Sequence, residues 1–352
     1  MMANKGIHWF LLAHLLVQIA NTNARVPAII VFGDSSVDAG NNNQIPTILK
    51  SNFEPYGRDF IGGQPTGRFS NGRIATDFIS EAFGIKPTIP AYLDPTYGVK
   101  DFATGVCFAS AGTGYDNATS NVLSVVPLWG ELEYYKEYQK DLRGYLGEEK
   151  ANEVLSEALY LISIGTNDFL ENYYLLPERS LQFSIEEYQR FLAGIAGNFI
   201  TELYNLGARK ISLVGLPPMG CLPLARTTNI LIGSECIEEY NNVAKDFNEK
   251  LKGLTTNLNK ELTGIRLVFS NVYDFLFEMI QNPQLFGFEE TATACCGTGL
   301  IEVSYLCEAL SLFTCSDASK YVFWDSIHPT ETTNGLLADH VMKNDLAHEF
   351  LR

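Results

Sequence analysis

Five short apolar runs recur along this chain, at Ala28–Phe32, Val106–Ala109, Ala158–Ile164, Lys210–Val214 and Arg266–Phe269. Between them lie longer stretches with apolar residues at helical spacing. Examples are "GRIATDFISEAFG", "LWGELEYYKEYQKDLRGYLG", "IEEYQRFLAGIAGNFITELYNLG" and "CIEEYNNVAKDFNEKLKGLTTNLNKEL". Runs this short suit buried strands. Parallel strands need a long crossover between them, usually a helix, so the alternation predicts an α/β fold built on a parallel sheet. Gly84 and Gly207 stand where two of the helices should stop, because a left-handed residue closes the last turn. No internal repeat, low-complexity tract or linker rich in Pro, Gly or Ser breaks the pattern. Residues 25–352 are therefore expected to form a single domain.

In open α/β sheets, ligands bind beyond the carboxyl ends of the strands. The residues that follow each run therefore matter most. After the first comes "GDSS", after the second "SAGTGYD", after the third "GTND" and after the fourth "GLPPMGCLP". Three of these four carry groups that acyl chemistry needs.

The first residues read differently. Lys5 precedes an apolar run from Trp9 to Ala20, and Thr22 and Ala24 occupy small-residue cleavage positions. This is the pattern of a secretory signal peptide over residues 1–24. The run is shorter than the roughly 20 residues a membrane span needs, and His14 and Gln18 interrupt it. The mature chain is expected to begin near Arg25, to be secreted, and to have no transmembrane segment. Net charge is −16, from 41 acidic and 25 basic residues. Such a surface repels phosphate backbones and argues against nucleic-acid binding. In a secreted chain the seven cysteines read as disulfides, and no CxxC pair suggests a metal site. The count is odd, and Cys107, inside an expected strand, is the residue expected to stay unpaired. The sequon Asn117-Ala118-Thr119 predicts a glycosylated surface loop.

Of five histidines, His8 and His14 leave with the leader, His340 lies on a C-terminal helical pattern and His348 is near the chain end. His328, in "VFWDSIHPT", is the one delivered by a loop, since Pro329 drives it into an extended conformation and can open the following helix. Asp325, three residues earlier, can accept from Nδ1–H and leave Nε2 free to take a proton. Ser35 directly follows the first strand, where its own N–H is unpaired, and it needs such a base to become nucleophilic. Gly112 can present an unobstructed backbone N–H, and Asn167 offers amide donors, so both are candidates for stabilising an oxyanion. Taken singly, each is equally well read as turn or cap chemistry. Their order is what carries weight. Ser36 and the three asparagines of "FGDSSVDAGNNN" are read as neighbours without a catalytic part.

These blocks together resemble the GDSL-type esterase/lipase family, the SGNH hydrolases, and most closely its secreted plant branch. "FGDSSVDAGNNN", "GVCFASAGTGYD", "SIGTND" and "DSIHPT" are similar to its four blocks in order. "PTGRFSNGR", "LGARK" with "GLPPMGC", and "CCGTG" are typical of that branch. The resemblance runs from about Pro27 nearly to the end. It implies a three-layer α/β/α, flavodoxin-like fold with a central, mostly parallel five-stranded sheet. It implies Ser35 as nucleophile, Asp325 and His328 as its relay and base, and Gly112 and Asn167 with the Ser35 N–H as the oxyanion hole. It further implies a monomer without cofactor, acting on small-molecule esters or lipids in the extracellular space (apoplast or cell wall). Many relatives carry Asn where Cys107 stands, which accounts for its lacking a partner. The other six cysteines are expected to pair, with Cys221–Cys236 as one bridge.

Two other readings stay open. An acyltransferase would use the same acyl-enzyme with an alcohol acceptor, and an idle lipid- or glycan-binding protein would keep the residues without the chemistry. An α/β-hydrolase elbow is a poor fit, because Gly33-Asp34-Ser35-Ser36-Val37 lacks the second glycine of G-x-S-x-G. The aromatic stretch "NDFLENYYLLPERS" could cover the site or simply pack as a helix or loop.

Overall fold

The computed structural model describes residues 26–228, 235–308 and 313–351. The expected leader at residues 1–24 lies outside them. Strands β1 (Ile29–Gly33), β2 (Gly105–Cys107), β3 (Leu159–Ser163), β4 (Lys210–Val214) and β5 (Arg266–Ser270) form one sheet in the order β2-β1-β3-β4-β5. All four pairings are parallel, and the registers run from Ile29 opposite Gly105 and Leu159 to Val214 opposite Ser270. This is the flavodoxin-like doubly wound order. The expected strands fall within two residues of the observed ones.

Both faces of the sheet are covered, which is why its strands read as continuous apolar runs. Side chains alternate across it. Ile30, Phe32, Tyr160, Ile162, Ile211 and Leu213 meet helices α2 (Leu128–Leu146), α3 (Ile185–Asn205) and α4 (Glu238–Glu261). On that side Phe32 packs against Phe108, Tyr135 and Phe199 with ring centroids 5.3, 5.5 and 5.4 Å away. Ile29, Val31, Leu159 and Leu161 meet α1 (Ala75–Ala82) and α5 (Glu331–Val341). All five helices answer the helical patterns of the sequence, and Gly84 and Gly207 lie just past the ends of α1 and α3. No described helix is long and apolar enough to cross a membrane.

Pro329 does not open α5. Thr330 is its N-cap, accepting from the Thr333 N–H at 3.3 Å, while Pro329 bridges to Phe323 in an antiparallel pair. The hydroxyl satisfies a helix-end donor that proline's ring cannot reach. Asn117 also departs from expectation: it is exposed, as predicted, but begins a short helix, Asn117–Val122, capped by Asp116, instead of lying in a loop.

The disulfides are Cys221–Cys236, Cys295–Cys315 and Cys296–Cys307, and Cys107 is free and buried. Its thiol donates to the Val37 carbonyl, and burial pushes its pKa well above that of an ordinary thiol. It is a packed thiol, not a reactive one.

The segment "PTGRFSNGR" contributes a buried ion pair. Arg68 Nε and Nη2 donate to the Asp77 Oδ2 and Oδ1 atoms at 2.8 and 2.9 Å. The same guanidinium reaches the Ala39 and Ile89 carbonyls, so it ties the loop after β1 to α1. Breaking a buried pair leaves its partner charged and dry, at a cost of about 3–5 kcal/mol. Arg68→Met is expected to lower unfolding stability by that amount in urea titrations, and Arg68→Met with Asp77→Leu to recover much of it.

Candidate active site

The carboxyl end of β1 makes an abrupt exit. Gly33 has φ +139°, and a Cβ there would sit 1.9 Å from the Ser163 carbonyl oxygen, so only glycine fits. Its N–H donates to Glu131 Oε2 at 3.0 Å, and the Asp34 N–H donates to Ser163 O at 3.0 Å. The Val37 and Asp38 N–H groups then return to the Asp34 carbonyl, making a single turn that carries Ser35. Ser36 points elsewhere: its hydroxyl donates to Asp34 Oδ1 at 2.7 Å and pairs with Ser163 Oγ at 2.9 Å. Burial pushes the Asp34 carboxyl up, opposed by the bonds from Ser36. Burial likewise pushes the Glu131 carboxyl well above the usual carboxylate range, opposed by the bond from the Gly33 N–H.

Ser35 Oγ lies 2.6 Å from His328 Nε2. On the far side of the ring, His328 Nδ1 is 2.8 Å from both Asp325 oxygens. All three residues are buried: Ser35 is 7% exposed, His328 4% and Asp325 0%. The spacing of three works through a non-helical turn, in which Asp325 Oδ1 accepts the Ile327 and His328 N–H groups at 2.9 and 2.8 Å. Charge-assisted bonds of this kind fix the carboxylate before it meets the ring. The Phe69 ring, with its centroid 4.9 Å away, backs the imidazole.

The turn is held from below. Trp324 N–H donates to the His328 carbonyl at 2.7 Å, and Thr330 N–H to Val322 O at 3.0 Å. Cys295 and Cys296 N–H groups donate to the Phe323 and Trp324 carbonyls. The "CCGTG" segment and its two disulfides thus form the platform under Asp325 and His328.

The sheet order brings the other two residues to the same place. Because β1 lies between β2 and β3, the loops after those strands flank Ser35. Gly112 belongs to the first, with φ +87°, a conformation that favours glycine. Asn167 belongs to the second, and its Nδ2 donates to Thr113 O at 3.0 Å, tying the two loops together beside Gly112. The Ala111 and Thr113 N–H groups are used by Asp38 Oδ2 and Ser110 O. Among the described residues no protein acceptor takes the Gly112 or Ser35 N–H. Three donors are therefore available: two backbone N–H groups and the second amide hydrogen of Asn167. Donors of these kinds are what an oxyanion needs.

Other residues shape the site without any signal in the sequence. Asp38 Oδ1 accepts from Gly40 and Asn41 N–H at 2.7 and 2.8 Å, while its other oxygen holds Ala111. Burial pushes its carboxyl up to about 6 against those bonds. Asn41 Nδ2 donates to the Cys107 and Ala109 carbonyls, and Asn42 Nδ2 to Leu49 and Ala111. Two of the three asparagines, Asn41 and Asn42, are thus the stitches that place the Gly112 loop against β1, while Asn43 donates to the Thr66 carbonyl. Tyr56, distant in sequence, donates to Asp325 Oδ2 at 2.8 Å and accepts the Ser304 N–H at 2.9 Å. The stretch "NDFLENYYLLPERS" forms a helix, Asp168–Leu175, with Asp168, Phe169, Leu170 and Asn172 buried, and begins a second at Pro177; Asn167 alone of it lines the cavity beside Ser35.

Known proteins resemble this chain along most of its length. A family model described as GDSL-like Lipase/Acylhydrolase matches residues 29–341. A protein of Arabidopsis thaliana named GDSL esterase/lipase is 66% identical over 348 residues, covering 99% of each chain. Two more so named, from the same plant, are 62% and 59% identical, covering 92% and 94% of this chain and 93% of their own.

Tyr56→Phe removes one hydrogen bond to a charged group, worth about 1.5 kcal/mol, and leaves the Ser304 N–H without its acceptor. The variant is expected to slow labelling of Ser35 by a fluorophosphonate about tenfold, followed by intact-protein mass, with near-UV circular dichroism unchanged.

Proposed function

Since this chain belongs to the GDSL-like lipase/acylhydrolase family and is a carboxylic ester hydrolase, we propose that it works through an acyl-enzyme formed on Ser35. The observation that carries this reading is the continuous chain Ser35 Oγ, His328 Nε2, His328 Nδ1 and Asp325, with links of 2.6 and 2.8 Å. Asp325 accepts from Nδ1–H and so fixes the tautomer in which Nε2 is unprotonated. His328 takes the Ser35 proton as Oγ attacks the ester carbonyl carbon. The carbonyl oxygen becomes an oxyanion and accepts from the Ser35 N–H, the Gly112 N–H and Asn167 Nδ2. Collapse expels the alcohol, which leaves with the proton from His328. Water then loses a proton to the same nitrogen and attacks the acyl carbon, and Ser35 is recovered as the acid departs. Every proton passes through Nε2, and the three donors stay in place through both tetrahedral states.

Around this chemistry we place a single domain whose mature chain starts near Arg25, secreted to the extracellular space, monomeric and without a cofactor. The support is the leader pattern of residues 1–24, the disulfides among the described cysteines and the acidic surface. An exposed Asn117 is consistent with a glycan there.

The test is hydrolysis of aryl esters by purified protein. Wild type is expected to release free acid without any added alcohol acceptor. Ser35→Ala should lower kcat by at least about a thousandfold, because the nucleophile and base act as a unit. Equal rates in the two proteins would remove Ser35 from its role, and activity only with an alcohol present would make the enzyme a transferase.

A further inference from the structure

Asn167 is followed by a buried acid that the chemistry above leaves unused. Asp168 is 0% exposed and begins a π-helix, Asp168–Leu175, a wide turn common at functional sites. Its carboxylate gathers three donors from the chain that follows Gly112. Oδ2 accepts the Tyr115 N–H at 2.8 Å, and Oδ1 accepts the Asp116 N–H at 3.1 Å and the Thr119 hydroxyl at 2.7 Å. Asn167 lines the cavity beside Ser35 and Asp168 does not, so this acid lies behind the donors and touches no substrate. We propose that Asp168 is a positioning residue of the oxyanion hole: it sets the separation of the Gly112 and Asn167 loops, and so acts on the transition state and not on substrate binding. This inference rests on the oxyanion reading of Gly112 and Asn167 above and adds the group that keeps them in register.

Chemistry requires a carboxylate at this place. Two backbone N–H groups and a hydroxyl converge on it, and a carboxylate accepts on both oxygens and donates on neither. An asparagine would turn its own N–H groups towards at least one of those donors. Gly114 completes the fit, since a Cβ there would sit 2.4 Å from Asp168 Oδ1. Burial pushes the Asp168 carboxyl up to about 7, and the Asp116 charge adds to that rise, against the Thr119, Tyr115 and Asp116 donors. Burying a charge costs stability, and acids perturbed in this way cluster at functional sites.

The bonds around Asp168 close into a ring. Asn172 Nδ2 donates to the Thr119 hydroxyl oxygen at 2.9 Å and to the Tyr188 hydroxyl oxygen at 3.2 Å, and the Tyr188 hydroxyl donates to Asp116 Oδ2 at 3.3 Å. Arg179 Nε and Nη2 fix Asp116 from outside, at 2.7 and 3.1 Å. The ring anchors both loops to α3, which carries Tyr188. Neighbouring Cα atoms are tied at about 3.8 Å, so a shift of Asp168 passes directly to Asn167. Donors preorganised for an oxyanion work only at hydrogen-bond distance from where its charge develops. A loop that drifts therefore weakens the transition state while the uncharged ester still binds.

The experiment measures kcat and KM for para-nitrophenyl acetate, and the inhibition constant of a trifluoromethyl ketone, whose adduct with Ser35 puts an oxyanion where that of the ester would form. Asp168→Asn is expected to lower kcat about thirtyfold with KM within about twofold of wild type, because both tetrahedral states use the same donors. The inhibitor should weaken by the same factor as kcat/KM falls. Gly114→Ala keeps every donor and acceptor but drives its methyl into Asp168, and it should give the same signature; it decides the matter if near-UV circular dichroism shows Asp168→Asn unfolded. A folded variant that loses only melting temperature, with kcat, KM and inhibitor affinity at wild-type values, would overturn the proposal. So would a raised KM at unchanged kcat. Asn167→Ala separates the two failures: if it is slowed about a hundredfold and the Asp168 variant is not, only the positioning role is wrong, and if it keeps wild-type kcat, the oxyanion reading itself falls.

Discussion

The pairing of β1 on both its edges is the constraint from which the site follows. A strand hydrogen-bonded to β2 on one side and β3 on the other cannot shift without breaking two ladders. Its carboxyl end is therefore fixed, and so is the turn that carries Ser35. The loops leaving β2 and β3 have to rise on either side of that turn. Gly112 and Asn167 arrive there by topology, and the hydrogen bond from Asn167 to Thr113 closes the gap between the loops. The parallel order explains why residues so distant in the chain meet beside Ser35.

Fine positioning comes from buried polar groups. Asp38, Asn41 and Asn42 spend their hydrogen bonds on the backbone between Cys107 and Ala111 and on their own turn. In a site with little water these bonds are strong when made and costly when lost. Asp38 shows the balance, since burial raises its pKa while three N–H donors hold its charge. A second support is the pair of disulfides, Cys295–Cys315 and Cys296–Cys307, behind Asp325 and His328. Tyr56 joins it to the loop before α1 by bonding Asp325 and Ser304 together. The two sets of supports meet at the contact between Ser35 and His328.

Much of this was legible in the sequence. The strands could be read because a sheet covered on both faces demands unbroken apolar runs, and the helices because each buries one stripe. Ser35, Gly112, Asn167, Asp325 and His328 could be singled out because each stands just after such a run, or on a loop that a proline keeps extended. Asn41 and Asn42 could not, since asparagine is an ordinary turn residue and its partners are backbone carbonyls that sequence does not mark. Tyr56 could not, because a tyrosine 269 positions from Asp325 carries no local sign of the contact. The N-terminal end of α5 was misread for a related reason: proline and threonine both suit a helix start, and the choice between them rests on the pairing of Pro329 with Phe323.

Local pattern, then, determined the elements, the chemistry available and the order of its pieces, because periodicity, turn chemistry and residue type are properties of short segments. Tertiary structure decided which groups touch. The strand order sets Ser35 between the loops of Gly112 and Asn167, a buried tyrosine and a disulfide platform hold Asp325 and His328, and the packing of α1 and α5 on the sheet leaves a cavity beside Ser35. Each of these depends on distances between residues far apart in the chain, and such distances exist only once the chain has folded.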